Sequence, residues 1–186
     1  MPRQTPLPHK KRRPGDALAT HRHWLARAEA TAQLPVSRGG SPHPSVKVGA
    51  VLVDRNGREI AIAANRFAYG VDRRRPERYR EGSKSLWINC AEQKVLAKAL
   101  RKRADLNGAK LYVTLEPCAV CAGFIGELRL KHVFVPAGAL RRYAKLKAKW
   151  KNSIEIGLIK LAEAGVEVTA IDTRPAGVKK KSRRKR

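Results

Sequence analysis

Acidic residues are scarce in this chain: 15 Asp and Glu stand against 41 Lys and Arg, a formal net charge of +26. So lopsided a balance favours encounters with polyanions and phosphorylated ligands without identifying the partner. Cysteine is scarcer still. Three residues, an odd number, exclude a fully paired disulfide framework. Aromatic residues make up only 5%, which leaves few platforms for stacking bases. No apolar run approaches the roughly 20 residues of a membrane span, so contact with a membrane interior is not expected. No internal repeat is visible.

What remains is an ordinary globular composition. The hydrophobic fraction is 42%, and 186 residues suit one domain able to bury a core without staples. Residues 1–40 carry eight Lys and Arg against two acids, and residues 173–186 carry eight against none. The segments 1–15 and 173–186 therefore read as basic, disordered tails flanking a domain over 16–172. The N-terminal segment is Pro-rich with no apolar stretch behind it, unlike a secretory signal, and a cytoplasmic location is expected.

Periodicity supplies a coarse map. Asp16 and the spacing of Leu18, His21, Leu25 and Ala28 predict a helix over 16–34. After a Gly-, Ser- and Pro-rich loop, Val46–Val53 and Arg58–Asn65 read as paired strands about the turn Asp54-Arg55-Asn56-Gly57. Residues 66–87 read as a long irregular loop. Alternation follows: helix 91–103, strand 109–115, helix 119–128, strand 132–136, helix 153–164 closed by Gly165, strand 166–171. The expected fold is α/β, a mixed five-stranded sheet with helices on both faces.

The chemistry concentrates in two short segments, Cys90-Ala91-Glu92 and Pro117-Cys118-Ala119-Val120-Cys121. A Cys-x-x-Cys at a helix start sets two sulfurs near one metal, and the helix N-terminus stabilises thiolates. Cys90 begins another expected helix. Three protein ligands leave the fourth tetrahedral position open to water, the arrangement of a catalytic zinc. Glu92 would share that pocket as a proton carrier without binding metal. On spacing alone a redox pair, or a structural zinc site with His132 as fourth ligand, stays open.

The same residues resemble the zinc-dependent deaminases, most closely the cytidine and deoxycytidylate deaminase superfamily. Val48-Gly49-Ala50-Val51-Leu52-Val53, Asn65, Gly70-Val71-Asp72, Pro76-Glu77-Arg78-Tyr79, Trp150-Lys151-x-Ser153 and Glu163-Ala164-Gly165-Val166 are similar to the deoxycytidylate branch. The resemblance spans about residues 42–172. It implies a three-layer α/β/α sandwich, one Zn²⁺ per subunit held by Cys90, Cys118 and Cys121, and Glu92 as the catalytic acid and base. It further implies a homo-oligomer and a cytosine nucleotide as substrate, dCMP being converted to dUMP. Asn65 and the Ala91 N–H would meet sugar and base. The branch's phosphate-facing Arg is missing from its usual place, and Arg66, Arg73 to Arg75, Arg78 or Arg80 would substitute for it, Arg66 and Arg78 being the chief candidates. Three positions depart from the branch: Cys90 stands where it usually has His, Ala68-Tyr69-Gly70 where it has Pro-Arg-Gly, and Glu116 is typical of tRNA adenosine deaminases. In addition, Gln93 replaces the Arg that follows the Glu in free cytidine deaminases. Deamination of tRNA or single-stranded DNA is the second expectation, with the basic tails contacting nucleic acid. A non-catalytic zinc protein that binds nucleic acid is the third.

Overall fold

The structure is a computed structural model that describes residues 14–80, 83–142 and 148–174. The basic tails expected over 1–15 and 173–186 thus lie almost entirely outside the described residues. Those described are, in order, α1 (Pro14–Gln33), β1 (Gly49–Val53), β2 (Glu59–Ala64), β3 (Arg66–Phe67), α2 (Lys84–Trp87), β4 (Ile88–Asn89) and α3 (Ala91–Arg101). They continue with β5 (Lys110–Val113), α4 (Ala119–Glu127), β6 (His132–Pro136), α5 (Ala139–Arg142), α6 (Ala148–Glu163) and β7 (Glu167–Ile171).

Five strands form one sheet in the order β2-β1-β5-β6-β7. β1 runs antiparallel to both neighbours, while β5, β6 and β7 are parallel. Parallel neighbours need long crossovers, and α4 and α6 supply them. Every residue of β1 is buried because both faces of the sheet are covered. Ala50, Leu52, Leu111, Val113, Val133 and Val135 face a layer built from α3, α4 and α6. Val51, Val53, Tyr112 and Phe134 face α1 through Leu25 and Ala28. The α/β/α sandwich expected from sequence is therefore the fold observed. Gly49 permits close contact between layers: a Cβ there would lie 1.9 Å from the Ala28 carbonyl oxygen.

The loop expected over 66–87 is more structured than its sequence suggests. β3 pairs with β4 in a two-stranded ladder that ties Arg66 to Asn89 and Phe67 to Ile88. A 3₁₀ turn occupies Pro76–Tyr79, and the Tyr79 hydroxyl donates to the Arg73 carbonyl at 2.9 Å. The strand expected from Val46 begins only at Gly49, because Val46–Val48 is held by a side chain, Asn65, rather than by a ladder. At the sheet margin, β2 is clasped by α3. Lys98 and Lys102 donate to the carbonyls of Ile62 and Ile60 at 2.6 and 2.7 Å, and Lys94 to that of Phe67 at 3.1 Å. Among the described residues no helix is long and apolar enough to cross a membrane.

Candidate active site

α3 and α4 both begin above the sheet end where β1 starts and β5 stops. Thr114 fixes that corner: its backbone N–H donates to the Gly49 carbonyl, and its hydroxyl accepts the Gly49 N–H, both at 3.0 Å. Cys90 and Cys118 each occupy the position before a helix in extended backbone, where Ser, Thr or Asp is more usual. Cys121 lies in the first turn of α4. The three Sγ atoms all fall within 4.8 Å of one another.

Hydrogen bonding explains how this cluster carries charge. The Cys118 sulfur takes hydrogen bonds from the Cys121 and Cys90 thiols and from the backbone N–H groups of Cys121 and Val120, which hold it far below the usual thiol range. The Cys90 and Cys121 thiols are driven up, chiefly by their bonds to Cys118. One thiolate thus forms readily and opposes the next two, so a cation must arrive before all three ionise. Three soft sulfur donors in reach of one point fit Zn²⁺, whose bonds to thiolate are about 2.3 Å. Among the described residues no other group of His, Cys, Asp and Glu offers such a set. His132 is not a fourth ligand: it opens β6 beside Lys110, at the opposite end of the sheet, with its Nδ1 3.5 Å from Glu167.

Glu92 is only 4% exposed. Burial pushes its carboxyl up to about 8; its own N–H pulls the other way, and the charge on Cys118 adds to the rise. Gln93, which stands in place of an Arg, has a structural use here. Its Oε1 accepts the Cys90 N–H at 3.1 Å and locks the first sulfur's backbone to α3.

The other sequence candidates are placed as follows. Ala91 is the buried first residue of α3, where a backbone N–H has no intrahelical acceptor. Asn65 is buried, and its amide is engaged: Oδ1 accepts the Val48 N–H and Nδ2 donates to the Val46 carbonyl, both at 2.9 Å. Arg66 sits opposite Asn89 in the β3–β4 ladder, one residue from Cys90, and donates to the Val36 carbonyl at 3.1 Å. Arg78 donates to the Asp72 carbonyl at 2.6 Å and lies 4.3 Å over the Trp87 ring. The carboxyl Oε2 of Glu116 is buried and has no hydrogen-bond partner among the described residues.

Sequence reasoning missed the support that α6 gives the second Cys segment. Ser153 Oγ accepts the Ala119 N–H at 3.2 Å, one of the first donors of α4. Lys160 reaches the Ala119 carbonyl at 3.3 Å. Between them Gly157 lets α6 touch the ligand segment itself, since a Cβ there would lie 2.4 Å from the Pro117 carbonyl oxygen and 3.0 Å from the Cys118 carbonyl carbon. At a free helical position Gly→Ala stabilises by up to about 1 kcal/mol. Gly157→Ala is expected to do the reverse, costing about 1–3 kcal/mol by overpacking and weakening zinc binding about 10-fold or more. Urea unfolding and competition with a chromophoric chelator measure the two effects.

Comparison with known proteins adds four findings. Residues 21–137 match the family model described as the cytidine and deoxycytidylate deaminase zinc-binding region. Among curated relatives, the "Uncharacterized deaminase in luxG 3'region" of Aliivibrio fischeri is 31% identical over 146 residues, covering 78% of this chain and 92% of that protein. The "Probable deoxycytidylate deaminase" of Caenorhabditis elegans is 31% identical over 121 residues, covering 63% of this chain and 57% of that protein. The crystal structure of dCMP deaminase from the cyanophage S-TIM5 superposes with a TM-score of 0.57 at 22% identity, covering 81% and 95% of the two chains, a likeness of fold.

Proposed function

The chain belongs to the cytidine and deoxycytidylate deaminase family, and from that premise we propose that it hydrolyses the exocyclic amine of a cytosine nucleotide, with dCMP converted to dUMP and ammonia. The observation that carries this reading is the gathering of Cys90, Cys118 and Cys121 around one point beside a buried Glu92. Zinc supplies the Lewis acidity that makes a water nucleophilic near neutral pH. Cys90, Cys118 and Cys121 would hold the ion. Glu92 takes a proton from the attacking water and passes it on to the departing nitrogen. The new bond joins the water oxygen to the ring carbon, and the bond that breaks is from that carbon to the amine.

The remaining assignments follow from position. The Ala91 N–H, free of an intrahelical partner, is directed to the pyrimidine edge. Asn65 retains one N–H and one lone pair for the sugar after bracing residues 46–48. Arg66, next to the ladder that leads into Cys90, suits a single phosphate better than Arg78, whose guanidinium is committed to Asp72 and Trp87. Release of ammonia from dCMP by the zinc-loaded protein, with little from cytidine, deoxycytidine, CMP, tRNA or a cytosine-containing single strand, is the expected result. Activity confined to a strand would replace this substrate with a polynucleotide. We place the reaction in the cytoplasm, and absence of the protein from a cytosolic fraction would contradict that.

Val120 and Phe124 on α4, with Ile156 and Ile159 on α6, leave an apolar face in water. It supports a homo-oligomer built on these two helices. Light scattering should give a mass above one chain that falls with Phe124→Glu, and a monomeric wild type would refute it.

A further inference from the structure

A groove of about 1040 Å³ opens beside β2, on the side of α3 that bears Lys94 and Lys98. Its walls are α1, the turn around Arg38, the β2 margin and residues 66–74. Neither the three cysteines nor Glu92 lines it. Arg66 lines it and pairs across the β3–β4 ladder with Asn89, the residue before Cys90.

The groove holds a surplus of positive charge with no internal relief. Asp72 is its one lining acid, and it is already bound by Arg74 and Arg75. Arg27 is bound by Glu59 at 2.7 Å. Arg66, Lys94 and Lys98 donate only to neutral backbone carbonyls. Arg38 and Arg73 make no ion pair or side-chain hydrogen bond among the described residues. Burial, followed by the neighbouring cations, lowers the proton affinity of Arg66, Lys94 and Lys98. Such a concave, like-charged wall focuses its field on an anion. Pockets for small ligands span about 300–1,000 Å³, so volume alone admits a free nucleotide as well as a strand.

A second feature separates a chain of phosphates from a compact anion. Tyr69 stands at the lip of the groove, 98% exposed, on the turn closed by the Val71 N–H to the Ala68 carbonyl. Leaving a ring in water gains nothing for folding, whereas beside a row of cations it offers a base a stacking surface.

We infer that this groove binds single-stranded polynucleotide, with Arg38, Arg66, Arg73, Lys94 and Lys98 on successive phosphates and Tyr69 stacked on a base. The inference goes beyond the deamination reading and does not rest on it, because binding can be tested with a strand that has no exocyclic amine. The experiment is fluorescence anisotropy of a labelled oligothymidylate with the zinc-loaded full chain over a salt series. The double variant Arg38→Glu, Arg73→Glu changes two exposed, unpartnered side chains. It is expected to weaken binding about tenfold or more and to flatten the log–log salt dependence by about 1.4, two contacts at roughly 0.7 each. Tyr69→Ala should weaken binding about fivefold or more, and Tyr69→Trp should restore it. The double variant Arg101→Glu, Lys151→Glu makes the same change of net charge away from the groove and is expected to cost less than about twofold. Equal losses from both double variants would assign the binding to the general field of the molecule and overturn the inference. So would an unchanged affinity in Tyr69→Ala, or displacement of the strand by a nucleoside triphosphate at equal phosphate concentration, which would mark a site for free nucleotides.

Discussion

Glu92→Gln should retain a full equivalent of zinc and lose deamination, with kcat lower by at least about a thousandfold. The amide has nearly the carboxyl's volume and is neutral, so neither packing nor the three sulfurs is disturbed. What it cannot do is accept a proton from water and release it to nitrogen. A positioned acid–base group contributes about 10²–10⁴, and a group used at both proton transfers belongs in the upper part of that range. The measurement is ammonia release by wild type and variant at equal zinc content, with the metal determined by atomic spectroscopy. Activity within tenfold of wild type would take the reaction away from Glu92. If the metal were lost as well, Glu92 would have to be a ligand.

Stripping the metal should abolish activity and lower the melting temperature by about 8–16 °C, while leaving the chain folded. A ligand present at a thousand times its Kd stabilises by about 4 kcal/mol, and about 1 kcal/mol moves the midpoint of a chain this size by about 2–4 °C. Folding survives because Leu52, Leu111, Val113 and Val133 belong to a buried core cluster that does not include the cysteines. Cys118→Ser should erase the zinc-dependent increment. Its sulfur is the one that α4 holds as thiolate, and a hydroxyl at the same place neither ionises nor binds zinc comparably. Scanning calorimetry with and without a chelator is sufficient. Identical melts would show that the cluster binds no metal in solution.

The parts of this architecture that sequence reveals are those whose physics is local. Asp54-Arg55-Asn56-Gly57 announces a hairpin because so few residues accept its backbone. The zinc segment is equally plain, since thiolate chemistry at two helix starts admits few residue types. Strand 132–136 coincides with β6, its apolar run being short and sharply bounded. The β3–β4 ladder, two residues on each side, is too short to leave a periodic trace. α6 already includes Ala148, five residues before the expected Ser153, because its lysines resemble a loop in the sequence. Gly157 passes for an ordinary helical glycine until the Pro117 carbonyl is found against it. Asn65 shows the converse: its motif points to a ligand, while its amide also serves the backbone of residues 46–48. The groove was illegible because Arg38, Arg73 and Lys98 come from three distant segments that each look like a solvated basic face.

Lys98 of α3 and Lys102, just after it, reach the outer margin of β2, with a consequence for how the protein could misassemble. Each holds an outward carbonyl of β2 that would otherwise be available to a foreign strand. Acetylating them would remove both the charge and part of the grip, exposing a ready template for β-type association. Growth of aggregates should therefore start on this flank when the lysines are capped and on the β7 flank when they are not.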